Sequence, residues 1–314
     1  MIKQRIVFIG TPEFAVASLK ALLDADANVV GVITAPDRRA GRGMNLQPSA
    51  VKQFAIENGL TVLQPANLKS EEFLNDLRKL KATLQIVVAF RMLPELVWNM
   101  PDNGTYNLHA SLLPQYRGAA PINWAVINGE IESGVTTFFL QHKIDTGDII
   151  LQEKVAIGET ETAGELHDKL MEVGSKLVVK TLNAIEHEHY PTTPQGTSKP
   201  PKEAPKIFKD TYKIDWNQST KQVFNLIRGL SPHPAAFTNL ILGNTETGLK
   251  IFRAGKSSLS KKTDVGSIHV EDHSLFIRCG DGWLEILELQ MAGKKKMNSK
   301  PFLLGFSLDN YKCI

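Results

Sequence analysis

Short apolar runs rich in β-branched residues alternate with helical patterns along the first part of the chain. This alternation is typical of crossover units, in which helices connect successive strands of a parallel sheet. The predicted strands are Arg5–Gly10, Asn28–Thr34, Thr61–Leu63, Leu84–Phe90, Tyr106–His109, Val135–Gln141 and Ile149–Val155. The predicted helices are Pro12–Asp24, Ser49–Asn58, Ser70–Leu80, Pro121–Asn128 and Thr162–Ile185. The last helix opens with Thr162 and Glu165 at the spacing of a capping box.

The alternation stops at a proline-rich stretch, residues 190–206, whose composition predicts an extended linker. Beyond it, a helical pattern at Ser219–Gly229 precedes several short strand patterns. A few strands lose their exposed edges most simply by closing into a barrel. We therefore predict an α/β domain with a doubly wound, mostly parallel sheet over residues 1–189, and a small β-barrel over residues 207–314. The strand patterns of the barrel include Gly266–Val270, Ser274–Cys279 and Trp283–Leu289.

The composition is typical of globular proteins, because 42% of the 314 residues are hydrophobic and 22% are charged. No apolar stretch reaches the roughly 20 residues that a membrane-spanning helix needs. Cys279 and Cys313 form no CxxC pair, which argues against a disulfide framework and a structural metal. We expect a cytoplasmic monomer that has no membrane association and no metal.

Charge is distributed unevenly along the chain. Residues 1–205 hold 20 Lys and Arg against 23 Asp and Glu, whereas residues 206–314 hold 16 against 10. A basic second part suits a polyanion, because neutralisation of phosphates supplies affinity without regard to sequence. Lysines that serve only solubility would give the same count, so both interpretations stay open.

Two common nucleotide-binding motifs are missing from the sequence. The turn after the first predicted strand, Gly10-Thr11-Pro12, begins no GxGxxG fingerprint, and the chain has no GxxxxGK[ST] loop. A dinucleotide cofactor and the hydrolysis of ATP or GTP therefore have no support from motifs.

Polar side chains gather instead where the predicted strand Tyr106–His109 ends. Asn107 and His109 share one face because side chains alternate along a strand, and parallel sheets bind ligands at their carboxyl edge. The two residues could equally be a satisfied hydrogen-bonding pair. A second polar cluster, Asp145–Asp148, follows between two predicted strands and is by itself typical of a surface turn.

Taken in order, five motifs over residues 107–148 resemble the folate-dependent formyltransferase family. They are Asn-x-His, Ser-Leu-Leu-Pro, Arg-Gly, Pro-x-x-Trp and Asp-Thr-Gly-Asp. The resemblance implies a Rossmann-like formyltransferase domain followed by an OB-like β-barrel. It also implies transfer of the formyl group of 10-formyltetrahydrofolate, the donor substrate, to a primary amine.

The catalytic trio of that family matches Asn107, His109 and Asp145. In this role the amide and the imidazole donate hydrogen bonds to the oxyanion that develops on the formyl group, and the imidazole exchanges a proton. The carboxylate orients the ring and relays a proton through water toward the leaving nitrogen. By the same resemblance, the folate-binding wall comprises Ser111, Leu112, Leu113, Pro114, Val87 and Phe90.

A basic loop at residues 35–49 indicates which amine accepts the formyl group. The loop contains Arg38, Arg39 and Arg42. Guanidinium groups make strong bidentate contacts to phosphates and base edges. Pro-Asp-Arg-x-Ala-Gly-Arg-Gly resembles the tRNA-binding insertion of those family members that formylate methionyl-initiator tRNA. The loop departs from this insertion at Arg39 and at Met44–Asn45. A solvated basic loop without a partner is the alternative interpretation.

The barrel also resembles the C-terminal domain of these family members, which implies phosphate contacts from Lys294, Lys295 and Lys296. A charge run of this kind can also be a solvated loop. Two other functions stay open. The first is the same transfer to a small amine, such as an amino sugar nucleotide, which predicts turnover without tRNA. The second is a catalytically silent folate- or RNA-binding module, which would lack the trio.

Overall fold

The computed structural model describes residues 3–40, 45–196 and 200–314. The helices are α1 (Glu13–Asp24), α2 (Ala50–Glu57), α3 (Glu71–Lys79), α4 (Glu95–Trp98), α5 (Pro121–Ile127), α6 (Ala163–Glu186), α7 (Thr220–Leu230) and α8 (Ser299–Gly305), with a 3₁₀ turn at Lys209–Tyr212. The strands are β1 (Ile6–Gly10), β2 (Val29–Ile33), β3 (Arg38–Ala40), β4 (Asn45–Gln47), β5 (Val62–Leu63), β6 (Leu84–Val88), β7 (Thr105–His109), β8 (Arg117–Gly118), β9 (Glu132–Phe139), β10 (Ile149–Ala156), β11 (Glu203–Ala204), β12 (Ala236–Leu242), β13 (Thr245–Lys256), β14 (Ile268–Glu271), β15 (Ser274–Arg278), β16 (Trp283–Met291), β17 (Met297–Asn298) and β18 (Lys312–Cys313).

The chain folds into two compact units, and each gathers segments that are distant in sequence. The first unit comprises Met1–Gly118, Ser133–Val155 and Asp168–Glu203, and the second comprises Ala119–Glu132, Ala156–His167 and Ala204–Ile314. The domain limits taken from the sequence, at 1–189, 190–206 and 207–314, stay a prediction.

A seven-stranded sheet forms the first unit, in the order β10-β9-β7-β6-β1-β2-β5. The strands from β7 to β5 run parallel, and β9 runs antiparallel to β7. The interior strands β1 and β6 are buried along their whole length. Strands in the middle of a parallel sheet are covered on both faces, which is why β1 has no polar side chain and β6 has only one, the buried Gln85. The mostly parallel α/β sheet predicted from the sequence is thus confirmed.

One core cluster of the first unit joins a helix to this sheet. Phe73, Leu74 and Leu77 of α3 pack together with Val7 and Ile9 of β1. The three residues of α3 lie on one face of the helix, whereas its charged residues include an acidic first turn and a basic last turn. This amphipathic pattern is that of a helix covering a sheet, and the charges also complement the helix dipole.

The direction of strand addition reverses at β1. The chain adds β2 and β5 on one side of β1, and it adds β6 and β7 on the other. Open α/β sheets leave a crevice at the carboxyl ends of the strands at such a reversal, and ligands bind there. Strand β7, which ends in His109, lies beside β6 at this edge.

An antiparallel sheet forms the second unit, in the order β14-β15-β16-β13-β12-β18, with β17 paired to β16. A bridge between Ser267, which precedes β14, and Lys312 of β18 links the two outer strands, so the sheet closes. Closure depends on Gly266, because its φ is +78° and an added Cβ would lie 2.2 Å from the Cys313 carbonyl oxygen. The small barrel predicted from the sequence is confirmed.

The capping box predicted at the start of α6 is also present. The Thr162 N–H donates to Glu165 Oε2 at 2.8 Å, and the Glu165 N–H donates to Thr162 Oγ1 at 3.2 Å. The two bonds satisfy backbone donors that the first turn of a helix leaves without intrahelical partners.

Short strands account for most differences from the predicted elements. Residues 35–49, predicted as a loop, contain the ribbon of β3 and β4. The proline-rich stretch is bound to the first unit, because Thr193 and Ile149 exchange backbone hydrogen bonds of 2.9 and 3.0 Å. The Tyr116 N–H also donates to the Lys202 carbonyl oxygen at 2.6 Å. Strands of two or three residues have no periodic pattern from which they could be predicted.

Candidate active site

Strand β7 brings Asn107 and His109 to the carboxyl edge of the parallel sheet. Asn107 is in register with Val87 of β6, and His109 is in register with Thr136 of β9. Because side chains alternate along a strand, Asn107 and His109 share one face. Asn107 is half-buried and His109 is buried, so both polar groups lie where the packed interior of the sheet ends.

Two oxygen atoms flank the imidazole of His109. Its Nε2 lies 2.8 Å from the Tyr116 carbonyl oxygen, and its Nδ1 lies 3.9 Å from Asp145 Oδ2. A carbonyl oxygen only accepts hydrogen bonds, so Nε2 carries the proton of the neutral ring and Nδ1 has the lone pair. The Phe138 ring meets the imidazole edge-on, with the ring centroids 6.5 Å apart. The nitrogen that can accept a proton therefore faces the carboxylate.

The turn between β9 and β10 positions Asp145. Its φ is +53°, in the left-handed region that aspartate tolerates better than most residues. Asp145 Oδ2 accepts a hydrogen bond of 2.9 Å from the Gly118 N–H. An added Cβ at Gly147 would lie 1.6 Å from the Phe139 carbonyl oxygen, so only glycine fits there. The Asp-Thr-Gly sequence is therefore suited to this tight turn, and the same turn brings the Asp145 carboxylate to His109.

The segment predicted to line the folate site is held by hydrogen bonds to β9 and β10. Thr136 Oγ1 donates to the Ser111 carbonyl oxygen at 2.6 Å and accepts from the Leu113 N–H at 3.1 Å. Gln152 Nε2 donates to the Leu113 carbonyl oxygen at 2.8 Å. These bonds fix the backbone of the segment. The buried residues of the segment are Ser111 and Leu113, and the partly exposed ones are Leu112 and Pro114.

Val87 and Phe90, the other residues predicted to line the folate site, contact the core of the first unit. Val87 is 6% exposed and belongs to the cluster of α3 and β1, and the partly buried Phe90 packs against that cluster. The Arg91 guanidinium carbon lies 5.8 Å from the centroid of the Phe90 ring. Of the two residues, Phe90 is therefore the one with surface left for a ligand.

Two side chains beside Asp145 are not among the site residues predicted from the sequence. Gln195, in the predicted linker, donates from Nε2 to the carbonyl oxygens of Asp145 and Gly147 at 3.0 and 2.7 Å. Arg117 Nη2 donates to Gln195 Oε1 at 2.7 Å. Arg117 belongs to the Arg-Gly motif, which gives no indication of this contact, and no local signal marks a glutamine in a proline-rich stretch as a residue of the site.

The described part of the predicted tRNA-binding loop contains a ribbon, β3 paired with β4, that has two different faces. Arg38 lies opposite Gln47, and Arg39 lies opposite Leu46. Alternation along the strands puts these two pairs on opposite faces. Both arginines are exposed, and so is Leu46. Arg42 lies outside the described residues.

An ion pair anchors the base of this ribbon. Lys52 Nζ lies 2.6 Å from Asp37 Oδ2, and Gln64 Nε2 donates to Asp37 Oδ1 at 2.8 Å. The hydrogen bonds from Gln64 and Lys52 lower the pKa of the Asp37 carboxyl. Asp37 directly precedes β3, so its ionised carboxylate ties the start of the ribbon to α2 at neutral pH.

The three lysines predicted to contact phosphates are all exposed, but their surroundings differ. Lys296 Nζ pairs with Glu288 Oε2 at 2.8 Å and lies 4.8 Å from the centroid of the Phe252 ring. Lys294 and Lys295 stand in the turn before it. A phosphate that contacted Lys296 would compete with a carboxylate already in place.

Within the described ranges, no three His, Cys, Asp or Glu side chains form a group that could hold a metal ion, and no helix has the length and apolar character of a membrane span. Cys279 and Cys313 are buried free thiols, and burial raises the pKa of each to about 12. Neither thiol is ionised enough to act as a nucleophile at neutral pH.

Two family models match the sequence. Residues 4–182 match the model described as "Formyl transferase", and residues 206–307 match "Formyl transferase, C-terminal domain". A methionyl-tRNA formyltransferase from Parabacteroides distasonis is 56% identical over 310 residues, which cover 96% of this chain and 95% of the relative. A methionyl-tRNA formyltransferase from Flavobacterium johnsoniae is 50% identical over 310 residues, covering 99% and 98%.

Solved structures share the fold at lower identity. The N-formyltransferase from Helicobacter canadensis, in complex with folinic acid and dTDP-3-aminofucose, matches with a TM-score of 0.65 at 21% identity. The match covers 95% of this chain and 100% of that one. At this identity the likeness establishes the architecture alone.

Proposed function

This chain belongs to the formyl transferase family, and from that premise we propose that it transfers the formyl group of 10-formyltetrahydrofolate to the α-amino group of methionyl-initiator tRNA. The product is N-formylmethionyl-tRNA, which serves translation initiation. The near full-length similarity to two methionyl-tRNA formyltransferases supports this acceptor. The reaction takes place in the cytoplasm, and a monomer without membrane association performs it.

The arrangement of His109 and Asp145 carries the proposal. Their side chains are only 7% and 13% exposed, and they meet at the sheet edge where ligands of this fold bind. Formyl transfer to an amine requires donors for an oxyanion, a group that exchanges protons, and protection of the formyl group from water. A buried imidazole that faces a carboxylate, with the amide of Asn107 two residues away on the same face, meets these requirements.

The mechanism begins when the neutral α-amine attacks the formyl carbon. The carbonyl oxygen gains negative charge, and the amide of Asn107 donates a hydrogen bond to it. The attacking nitrogen becomes positively charged and loses a proton to Nδ1 of His109, the ring nitrogen with the lone pair. Once protonated, Nδ1 can also donate to the oxyanion.

Asp145 and Tyr116 support this proton transfer from opposite sides of the ring. The Asp145 carboxylate attracts the positive charge that forms on His109, and such attraction is stronger in a buried site than in water. The Tyr116 carbonyl oxygen keeps Nε2–H in place, so only Nδ1 changes its protonation state. The bond between the formyl carbon and N10 of the folate then breaks, and N10 takes up the proton from His109. The donor leaves as tetrahydrofolate.

The pteridine of the donor lies against the segment Ser111–Pro114 and the ring of Phe90. A flat ring with polar edges suits an apolar wall whose backbone groups contact the ring edge. Hydrogen bonds from Thr136 and Gln152 fix that backbone, so its remaining polar groups have set positions. Val87 supports the wall from within the core.

Exposed basic residues bind the tRNA. Guanidinium groups contact phosphates and base edges, and ammonium groups contribute affinity that does not depend on sequence. The arginines are Arg38, Arg39 and Arg42, and the lysines are Lys294, Lys295 and Lys296.

Incubation with 10-formyltetrahydrofolate and radiolabelled methionyl-initiator tRNA tests the proposed function. We expect formylated methionyl-tRNA to accumulate, and no product from uncharged tRNA or free methionine. Absence of product with the wild-type protein would refute the acceptor.

A small amine is the alternative acceptor, because the fold is shared with an N-formyltransferase whose complex contains dTDP-3-aminofucose. This alternative predicts turnover of an amino sugar nucleotide without tRNA and no effect of Arg42→Ala. Under the proposed function, Arg42→Ala raises KM for methionyl-tRNA and leaves KM for the folate unchanged. Steady-state kinetics with each substrate varied in turn separate the two functions.

A further inference from the structure

We propose that Gln195 is a positioning residue for formyl transfer, which holds the turn of Asp145 so that the carboxylate faces His109. The inference rests on the function proposed above and concerns a residue outside the catalytic trio. Gln195 is half-buried and belongs to the stretch whose prolines predict only a linker.

The amide nitrogen of Gln195 binds both sides of the turn. Nε2 donates to the Asp145 carbonyl oxygen at 3.0 Å and to the Gly147 carbonyl oxygen at 2.7 Å. These carbonyls flank Thr146, so one amide group spans the residues that follow the carboxylate. Asp145 itself has a left-handed backbone, with a φ of +53°. A conformation that costs free energy persists only where its surroundings hold it in place.

The amide oxygen of Gln195 has a partner of its own. Oε1 accepts from Arg117 Nε at 3.1 Å and from Arg117 Nη2 at 2.7 Å. A guanidinium only donates and a carbonyl only accepts, so these contacts orient the amide with its nitrogen toward the turn. Both polar atoms of the Gln195 side chain are therefore used. Oε1 binds Arg117, and Nε2 binds the backbone around Asp145.

Arg117 lies between the two backbone groups that bind the catalytic pair. The carbonyl oxygen of Tyr116 accepts from His109 Nε2 at 2.8 Å, and the N–H of Gly118 donates to Asp145 Oδ2 at 2.9 Å. The segment from Tyr116 to Gly118 thus contacts both His109 and Asp145. Gln195 links Arg117 of this segment to the turn that carries Asp145. Without Gln195, the turn loses its hydrogen bonds to this side chain and its link to Arg117, so the Asp145 carboxylate can move relative to His109 Nδ1.

Two variants of similar size test the inference. Gln195→Met keeps the length of the side chain and removes all of its strong hydrogen bonds. Gln195→Glu keeps an acceptor for Arg117, but its ionised carboxylate cannot donate to the two carbonyl oxygens. The control is Gln53→Met, which changes an exposed glutamine of α2.

We expect kcat to fall roughly 10- to 100-fold in both Gln195 variants, because misplacement of a reacting group by about 1 Å can have an effect of that size. KM for methionyl-tRNA and KM for the folate should stay unchanged. The thermal transition should stay close to that of the wild type, and Gln53→Met should match the wild type in every measurement.

Three outcomes would overturn the inference. Wild-type kcat in Gln195→Glu would mean that donation to the turn does not matter. An increase in KM with unchanged kcat would make Gln195 a substrate contact. Failure of both variants to fold would make it a residue of general structure.

A spectroscopic measurement separates this inference from the proposed function. In the protein without substrates, the ¹⁵N resonance of His109 Nδ1 reports the position of the carboxylate. It should shift in both Gln195 variants and not in Gln53→Met. An unchanged resonance refutes the positioning role, whereas wild-type protein that fails to formylate methionyl-tRNA refutes only the function.

Discussion

The candidate active site and the basic surfaces hold their side chains in different ways. At the active site, His109 and Asp145 are largely buried, and backbone groups of Tyr116 and Gly118 bind both of them. On the surfaces, Arg38, Arg39, Lys294 and Lys295 are exposed. Transfer of a group requires reacting atoms in set positions, whereas attraction of a phosphate requires only charge within reach. Substitutions should therefore have large effects at the first region and graded ones at the second.

Removal of the imidazole is the largest expected loss. His109→Ala should lower kcat about 1,000-fold, since proton transfer by a positioned side chain contributes roughly 10²- to 10⁴-fold. The formylation assay measures the loss, and circular dichroism checks the fold. His187→Ala, which removes an exposed histidine at the end of α6, is the matched control. Full activity of His109→Ala would remove this residue from the mechanism.

Distortion of the turn should have the next largest effect. An added Cβ at Gly147 would lie 1.6 Å from the Phe139 carbonyl oxygen. Gly147→Ala should therefore cost about 2 kcal/mol of unfolding free energy, within the usual range for overpacking, and lower kcat by displacing Asp145. Urea denaturation and the formylation assay measure the two effects. In contrast, Gly305→Ala meets no atom within 4 Å and should change neither. Equal stability of the two variants would contradict this account of the turn.

Removal of surface lysines should have a smaller and graded effect. Lys294→Ala and Lys295→Ala should each weaken tRNA binding uniformly across sequences and reduce the salt dependence of affinity by about one unit of slope. Lys296→Ala should reduce the slope less, because Lys296 already pairs with Glu288. Binding measured over a range of salt concentrations tests this order. An equal loss from all three variants would mean that tRNA displaces Glu288.

The two buried thiols should give no reaction at all in the folded protein. Burial raises the pKa of Cys279 and of Cys313 from 9.0 to about 12, so a thiol reagent at pH 8 should label neither until denaturant is added. A raised folded-state pKa also means that the stability from these groups is present below pH 9.0 and is lost as pH rises toward about 12. Urea denaturation from pH 8 to 11 should follow that fall. Rapid labelling of the native protein would contradict the burial.

The elements that could be predicted from the sequence depend on residues close together in the chain. Three features are of this kind: the apolar run of β1, the alternation that places Asn107 and His109 on one face, and the capping box at Thr162. Each follows from strand or helix periodicity over a few residues. Only the resemblance to a family connects Asp145 to Asn107 and His109, because an Asp-Thr-Gly turn by itself is typical of surface turns.

The sequence by itself determined the α/β class of the first unit, three strands of the second (β14, β15 and β16), and the polar end of β7. Only the tertiary structure decided that Asp145 Oδ2 lies 3.9 Å from His109 Nδ1, that Gln195 binds the same turn, and that Gly266 allows the barrel to close. The reason is physical. Helices and strands follow from neighbours along the chain, whereas these three contacts join residues far apart in sequence and form only when whole elements pack together.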